Sequence, residues 1–158
     1  MFEKVVVPLD GSKVGEAALP VIRHMAERCP PDSKVQVTLI GVITLLRHWV
    51  VVGEASAPVS YTEEELSLIK SRVTDYLKTT GESLKSDNID VNIIVASGNA
   101  AEEILKAADR VKAELIAMST HGRSGLRRLA FGSITDKVLR GSRVPVLMVR
   151  APEGTTNE

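Results

Sequence analysis

The chain has 158 residues, enough for one domain with one sizeable core, and its 44% hydrophobic and 25% charged residues are ordinary for a globular protein. Lys plus Arg and Asp plus Glu each number 20, so the formal net charge of zero removes any global pull toward nucleic acid or an anionic membrane. The single cysteine, Cys29, allows no internal disulfide, no apolar run reaches membrane-spanning length, and "MFEKVVVPLD" is too short and too soon interrupted by Asp10 for a signal peptide, which leads to the expectation of a cytoplasmic protein.

The run Lys4–Leu9, "KVVVPL", is rich in Val and continuously apolar, as in a parallel strand covered on both faces. Asp10-Gly11-Ser12 ends it. Ala17, Ala18, Val21, Ile22 and Met25 recur at helical spacing and predict a first helix from roughly Lys13 to Arg28, which Pro20 should bend or start late. Cys29-Pro30-Pro31-Asp32 is a stop, and Val35–Ile43 reads as the second strand. The segment Thr44–Tyr61 shows no helical period and is longer than most connections.

Thr62 and Glu65 have the spacing of a capping box, and Leu66, Ile69, Val73, Tyr76 and Leu77 form the apolar face of a second helix running to about Ser86 despite Gly81. Ile89–Ala96 is the third strand, and "SGNA" leads into a third helix over about Ala100–Val111. Leu115–Met118 is the fourth strand. A fourth helix starts near Ser133 and ends at Gly141, read as a left-handed cap. Val144–Arg150, "VPVLMVR", is the fifth strand, and residues 151–158 read as a flexible tail. This alternation predicts a single α/β domain over residues 1–150: a doubly wound, five-stranded parallel sheet with helices on both faces.

Open sheets of this kind bind ligands beyond the strand carboxyl ends, where the strand order reverses. Order 3-2-1-4-5 would bring Asp10–Ser12 to the loop Ser119–Gly132, whereas order 2-1-3-4-5 would use Ser97–Ala100. The loop chemistry favours the first. "SGNA" is uncharged, while "STHGRSGLRRLAFGS" offers Gly122, Gly125 and Gly132 for close backbone approach, basic side chains, and the start of a helix at Ser133. The standard phosphate loops, G-x-x-x-x-G-K-[ST] and G-x-G-x-x-G, are absent, which argues against fast phosphoryl transfer.

Five pieces of sequence resemble the universal stress protein family from Val5 to Val149: "VVVPLDGS", "VTLIGVI", "SGNAAEEIL", "STHGRSGLRRLAFGS" and "VPVLMV". The resemblance implies the 3-2-1-4-5 sheet and a homodimer. Nucleotide-binding members carry G-x-x-G-x9-G-[S/T]; the chain has Ser119-x-x-Gly122-x9-Gly132-Ser133, with serine at the first glycine. By that resemblance ATP is the expected ligand, with or without Mg²⁺. Asp10 would contact the adenosine, Pro8 and Leu9 would line its pocket, the Val42 backbone would read the adenine edge, and Met118 would touch the nucleoside. Gly122, Gly132, Ser133, Ile134 and Thr135 would surround the phosphates and ribose, and Ser119, His121, Arg123 and Gly125 would belong to the same cofactor-binding set.

Plainer readings accompany these. Asp10 could cap the first helix, and His121 could position the loop, having no identifiable acidic or hydroxyl partner. Arg123, Arg127 and Arg128 could be solvated. The three histidines show no metal-ligand spacing, and two Phe, two Tyr and one Trp offer little for stacking nucleic acid. No nucleophile–base pair or acidic metal cluster stands out, so no catalytic residue is assigned. The expected function is an ATP-binding regulatory or stress-response protein with slow or no hydrolysis. The alternatives are a nucleotide-independent dimeric interaction protein and, third, a slow ATPase or nucleotidyl transferase. The homodimer is expected through the fifth strand, whose apolar run would lie at a sheet edge.

Overall fold

The computed structural model describes residues 2–30, 33–44, 48–52, 55–59, 61–120, 132–152 and 154–155. Strand β1 (Lys4–Pro8) is central, with β2 (Val35–Ile43) parallel on one side and β6 (Leu115–Thr120) parallel on the other. β5 (Ile89–Ser97) pairs with the far side of β2, and β7 (Val146–Arg150) with the far side of β6. The order β5-β2-β1-β6-β7 is 3-2-1-4-5 among the parallel strands, as the loop chemistry requires.

Strand alternation explains the unbroken valine run. Val5 and Val7 face one core with Leu39, Ala18 and Ile22 of helix α1 (Ala18–Glu27), and Leu77 of α2 (Glu63–Leu84). Val6 faces the other, with Ile40, Ile104 of α3 (Ala100–Val111) and Val138 of α4 (Ser133–Gly141). Both faces are buried at the centre, and each fully buried aliphatic side chain there stabilises the fold by about 1.5–3 kcal/mol.

Helix α1 begins later than the apolar spacing predicts. A 3-10 turn at Gly15–Ala17 precedes it, and Pro20 falls in the first turn, where a missing N–H leaves no intrahelical bond unmade. The capping box of α2 forms as predicted: Glu65 N–H donates to Thr62 Oγ1 (3.1 Å), and Thr62 N–H to Glu65 Oε2 (2.8 Å). Gly81 survives inside α2 because a Cβ there would stand 3.0 Å from Val91 Cγ1, so its absence lets the helix approach β5. Helix α3 has its predicted bounds, with Asn99 Oδ1 accepting from Glu102 N–H (3.2 Å) as its cap.

Four expectations are corrected. The segment between β2 and α2 holds an antiparallel hairpin, β3 (His48–Val52) with β4 (Ala55–Val59), in a sheet of its own. Gly141 is the last residue of α4, not a left-handed cap: Ser142 follows with φ −73°, and the missing Cβ, which would lie 2.7 Å from Leu105 Cδ1, gives that side chain its place. β7 starts at Val146, since Pro145 contributes only its carbonyl, which accepts from Ile116 N–H (3.0 Å). Ala151, placed in the tail by sequence, is 2% exposed and donates its N–H to Thr120 O (2.9 Å).

Candidate functional site

The ladder between β1 and β6 is short. It holds at Val5↔Leu115 and Val6↔Ile116 and ends there, while β1 continues to Pro8 and β6 to Thr120. The two strands therefore part toward their carboxyl ends, at the position where the sheet order reverses.

One wall of this opening is the turn after β1. Leu9 is buried and donates its N–H to Ile40 O (2.9 Å), so the chain leaves the sheet at Asp10. Gly11 has φ +84°, a conformation that favours glycine. Asp10 Oδ1 accepts from both Ser12 N–H (3.0 Å) and Ser12 Oγ (2.6 Å), and Ser12 Oγ in turn accepts from Gly15 N–H (2.9 Å). Asp10 is exposed, and its Oδ2 has no hydrogen-bond partner among the described residues. Asp10 does not cap α1: the residue at the N-cap is Ala17, which has no side-chain cap, and the Ala18 N–H donates instead to Ser119 Oγ of β6 (2.9 Å).

Tyr76 of α2 reaches the same turn. Its hydroxyl donates to Glu16 Oε1 (3.1 Å), whose other oxygen pairs with Lys13 Nζ (2.9 Å). Burial, then the Glu16 carboxylate, push the Tyr76 phenol far above its ordinary range, so it remains a donor.

The roof of the opening is the end of β2. In a parallel ladder the N–H and C=O of one residue point to the same side, and alternate residues point oppositely. Ile40 accepts from Leu9 on the β1 side; Val42 points the same way, but β1 has ended. Its backbone donor and acceptor thus face the opening. Pro8 is half-buried at the tip of β1.

On the far wall, Met118 is 7% exposed and packs with Val138 in the α3/α4 core. Ser119 turns to the other face. Gly132 is the N-cap of α4, with no side-chain cap and, among the described residues, nothing within 4 Å of the place a Cβ would occupy. Asp136 N–H is the first to find a helical carbonyl, Gly132 O (3.0 Å), which leaves the amides of Ser133, Ile134 and Thr135 directed outward at the positive end of the helix dipole. Ser133 and Ile134 are exposed, while Thr135 is buried. Asp136 is held by Arg140 Nε, at 3.0 and 2.9 Å from its two oxygens. His121, Gly122, Arg123 and Gly125 lie outside the described residues.

The sequence brings Ser12 to this wall with Asp10, but the sequence reading missed Gly15 and Tyr76 as parts of it. The spacing Asp10-Gly11-Ser12-x-x-Gly15 was the available signal. Among the described residues no group of three or more His, Cys, Asp or Glu could hold a metal ion, and no helix is long and apolar enough to cross a membrane. A separate groove of about 420 Å³, lined by Lys4, Gln36, Thr38, Asn92, Ile94, Arg110 and Val111, lies toward the opposite ends of the strands.

Comparison with known proteins agrees with this architecture. The universal stress protein YxiE of Bacillus subtilis is 28% identical over 150 residues, spanning 95% of this chain and all of that protein. A universal stress protein solved in complex with cAMP superposes with a TM-score of 0.62 at 21% identity, covering 94% of this chain and 97% of the other. A family member from Arabidopsis thaliana with AMP bound superposes at 0.64 with 11% identity, covering 98% and 99%. At those identities the two structures establish the fold. The model of the universal stress protein family matches residues 1–150, and the chain belongs to that family.

Proposed function

We propose that this protein binds an adenine nucleotide, ATP first among them, in the opening between β1 and β6, and serves as a regulatory stress-response protein rather than a metabolic enzyme. The observation that carries the reading is the parting of β1 from β6 between an exposed Asp10 carboxylate and the amides at the start of α4, which have no helical carbonyl to pair with. Family members with AMP and cAMP bound support the choice of adenine nucleotides.

In this reading Asp10 Oδ2 accepts from a ribose hydroxyl, Pro8, Leu9 and Met118 line the nucleoside, and the Val42 backbone pairs with the adenine edge. Gly132 and the Ser133, Ile134 and Thr135 amides receive phosphate oxygens, with the Ser119 backbone at the end of β6 and His121, Gly122, Arg123 and Gly125 after it completing the enclosure. Each helix-end contact contributes about 0.3–1 kcal/mol when exposed, so several must converge to reach the ~8 kcal/mol of micromolar affinity. With Asp136 engaged by Arg140, a Mg²⁺ ion would take its ligands chiefly from phosphates and water. No lysine of a phosphate loop precedes Ser133, so turnover is slow or absent. A cytoplasmic location belongs to the same proposal.

We also propose a homodimer through β7. Pro145 directs its carbonyl to β6, so its missing N–H costs the outer edge nothing, and by ladder alternation Val146, Met148 and Arg150 present their backbone groups outward. A second copy related by a two-fold axis could pair there antiparallel. This edge does not depend on nucleotide, which is the observation behind the second reading, a dimeric interaction protein.

Calorimetric titration with ATP and Mg²⁺ tests the main reading. A saturable signal is expected that Gly132→Val removes; the added Cβ meets no atom of the described residues within 4 Å, and a thermal melt of the variant checks that it folds. No heat at millimolar ATP would transfer the function to the interaction reading.

A further inference from the structure

The serine at position 119 stands where nucleotide-binding relatives carry glycine, and its hydroxyl both accepts and donates a hydrogen bond. It accepts from Ala18 N–H (2.9 Å) and donates its one hydrogen to Gly15 O (2.9 Å), across more than 100 residues of sequence. A helix N-terminus is ordinarily capped by its own preceding residue. Here the preceding residue is Ala17, and the cap comes from the strand on the opposite side of the opening. One hydroxyl therefore ties the two walls of the site together.

The tie extends to Asp10. Gly15 has no Cβ, and the Asp10 Oδ1 atom occupies that space, 2.6 Å from where the Cβ would be. Any shift of Gly15 therefore moves the surface against which the Asp10 carboxylate rests. Tyr76 restrains the neighbouring residue, Glu16, from the α2 side. A glycine at position 119 would leave the Ala18 N–H and the Gly15 carbonyl without this partner, with Gly15 still held through its N–H to Ser12 Oγ.

We propose that Ser119 is a positioning residue of the nucleotide site: its hydroxyl bridge between Gly15 and Ala18 sets the turn that presents Asp10. The proposal rests on the nucleotide reading above. It assigns the Ser119 side chain to the protein scaffold and leaves only its backbone to face the ligand.

The test compares wild type, Ser119→Ala and Ser119→Thr by amide hydrogen exchange at Ala18 and by titration with ATP. Ser119→Ala should exchange faster at Ala18 and bind ATP about 5-fold or more weakly, the loss of one net hydrogen bond from the arrangement. Ser119→Thr, which keeps the hydroxyl, should restore both. A Ser119→Ala protein that loses protection at Ala18 yet binds ATP like wild type overturns the positioning role alone. Failure of the threonine variant to recover affinity does the same. Absence of ATP binding by wild type overturns both this role and the nucleotide reading.

Discussion

Gly15→Ala separates the fold from the ligand site. The new methyl carbon would lie 2.6 Å from Asp10 Oδ1 and 3.2 Å from Ser12 Oγ. Ordinary contact begins at 3.4 Å, so the carboxylate oxygen must retreat by roughly 0.8 Å, stretching or re-aiming its bonds to Ser12 of 2.6 and 3.0 Å. Two exposed hydrogen bonds weakened in part cost less than the full ~0.5–1.5 kcal/mol each, and alanine returns about 1 kcal/mol through its lower backbone entropy in a helical turn. Net stability should change by no more than about 1 kcal/mol, a Tm shift of about 2–4 °C. A charge-assisted bond from the displaced carboxylate to a ribose hydroxyl is worth about 1.5–3 kcal/mol, so ATP affinity should fall about tenfold or more. Differential scanning calorimetry and ATP titration on the same sample separate the two effects. A variant that binds ATP like wild type, with an altered Asp10–Ser12 turn, would refute a role for the Asp10 carboxylate.

Other expectations follow from single contacts. Gly141→Ala puts a Cβ 2.7 Å from Leu105 Cδ1, the end of a half-buried, flexible side chain that can turn away, so against about 1 kcal/mol of helix propensity the stability in urea should change by no more than about 1 kcal/mol, and a loss above about 2 kcal/mol would contradict it. Tyr76 has a folded-state pKa above its unfolded value, so its stabilisation is complete below about pH 10 and is lost as pH rises beyond that; wild type should lose stability more steeply than Tyr76→Phe above pH 10, and parallel profiles would contradict it. Val146→Asp or Met148→Asp should yield monomers or insoluble protein; a monomeric mass for unmutated protein at tens of micromolar in sedimentation equilibrium would rule out the dimer.

The parallel sheet and its order were legible because valine runs buried on both faces and a charged, glycine-rich loop after the fourth strand leave few alternatives. The capping box at Thr62 and the bounds of α3 were legible for local reasons, since caps and periodicity sit within a few residues of each other. The hairpin of β3 and β4 was missed because its strands pair with each other alone, so no alternation against the main core marks them. Gly141 misled because a glycine after a helical run has two explanations, a left-handed turn or a close neighbour, and only Leu105 decides between them. In the site, Asp10 and the Gly132–Ser133 helix start were legible as residue types. The bridge from Ser119 to Gly15 and Ala18 was not, since it joins residues a hundred positions apart and depends on the registration of β6 against the turn.

The most direct test of the nucleotide site is an ATP titration followed residue by residue in the amide NMR spectrum. Saturable shifts are predicted at Asp10, Gly11, Ser12, Val42, Ser133, Ile134 and Thr135, with Gln36, Asn92 and Arg110 in the separate groove unmoved. Shifts confined to that groove, or none at millimolar ATP, would contradict it.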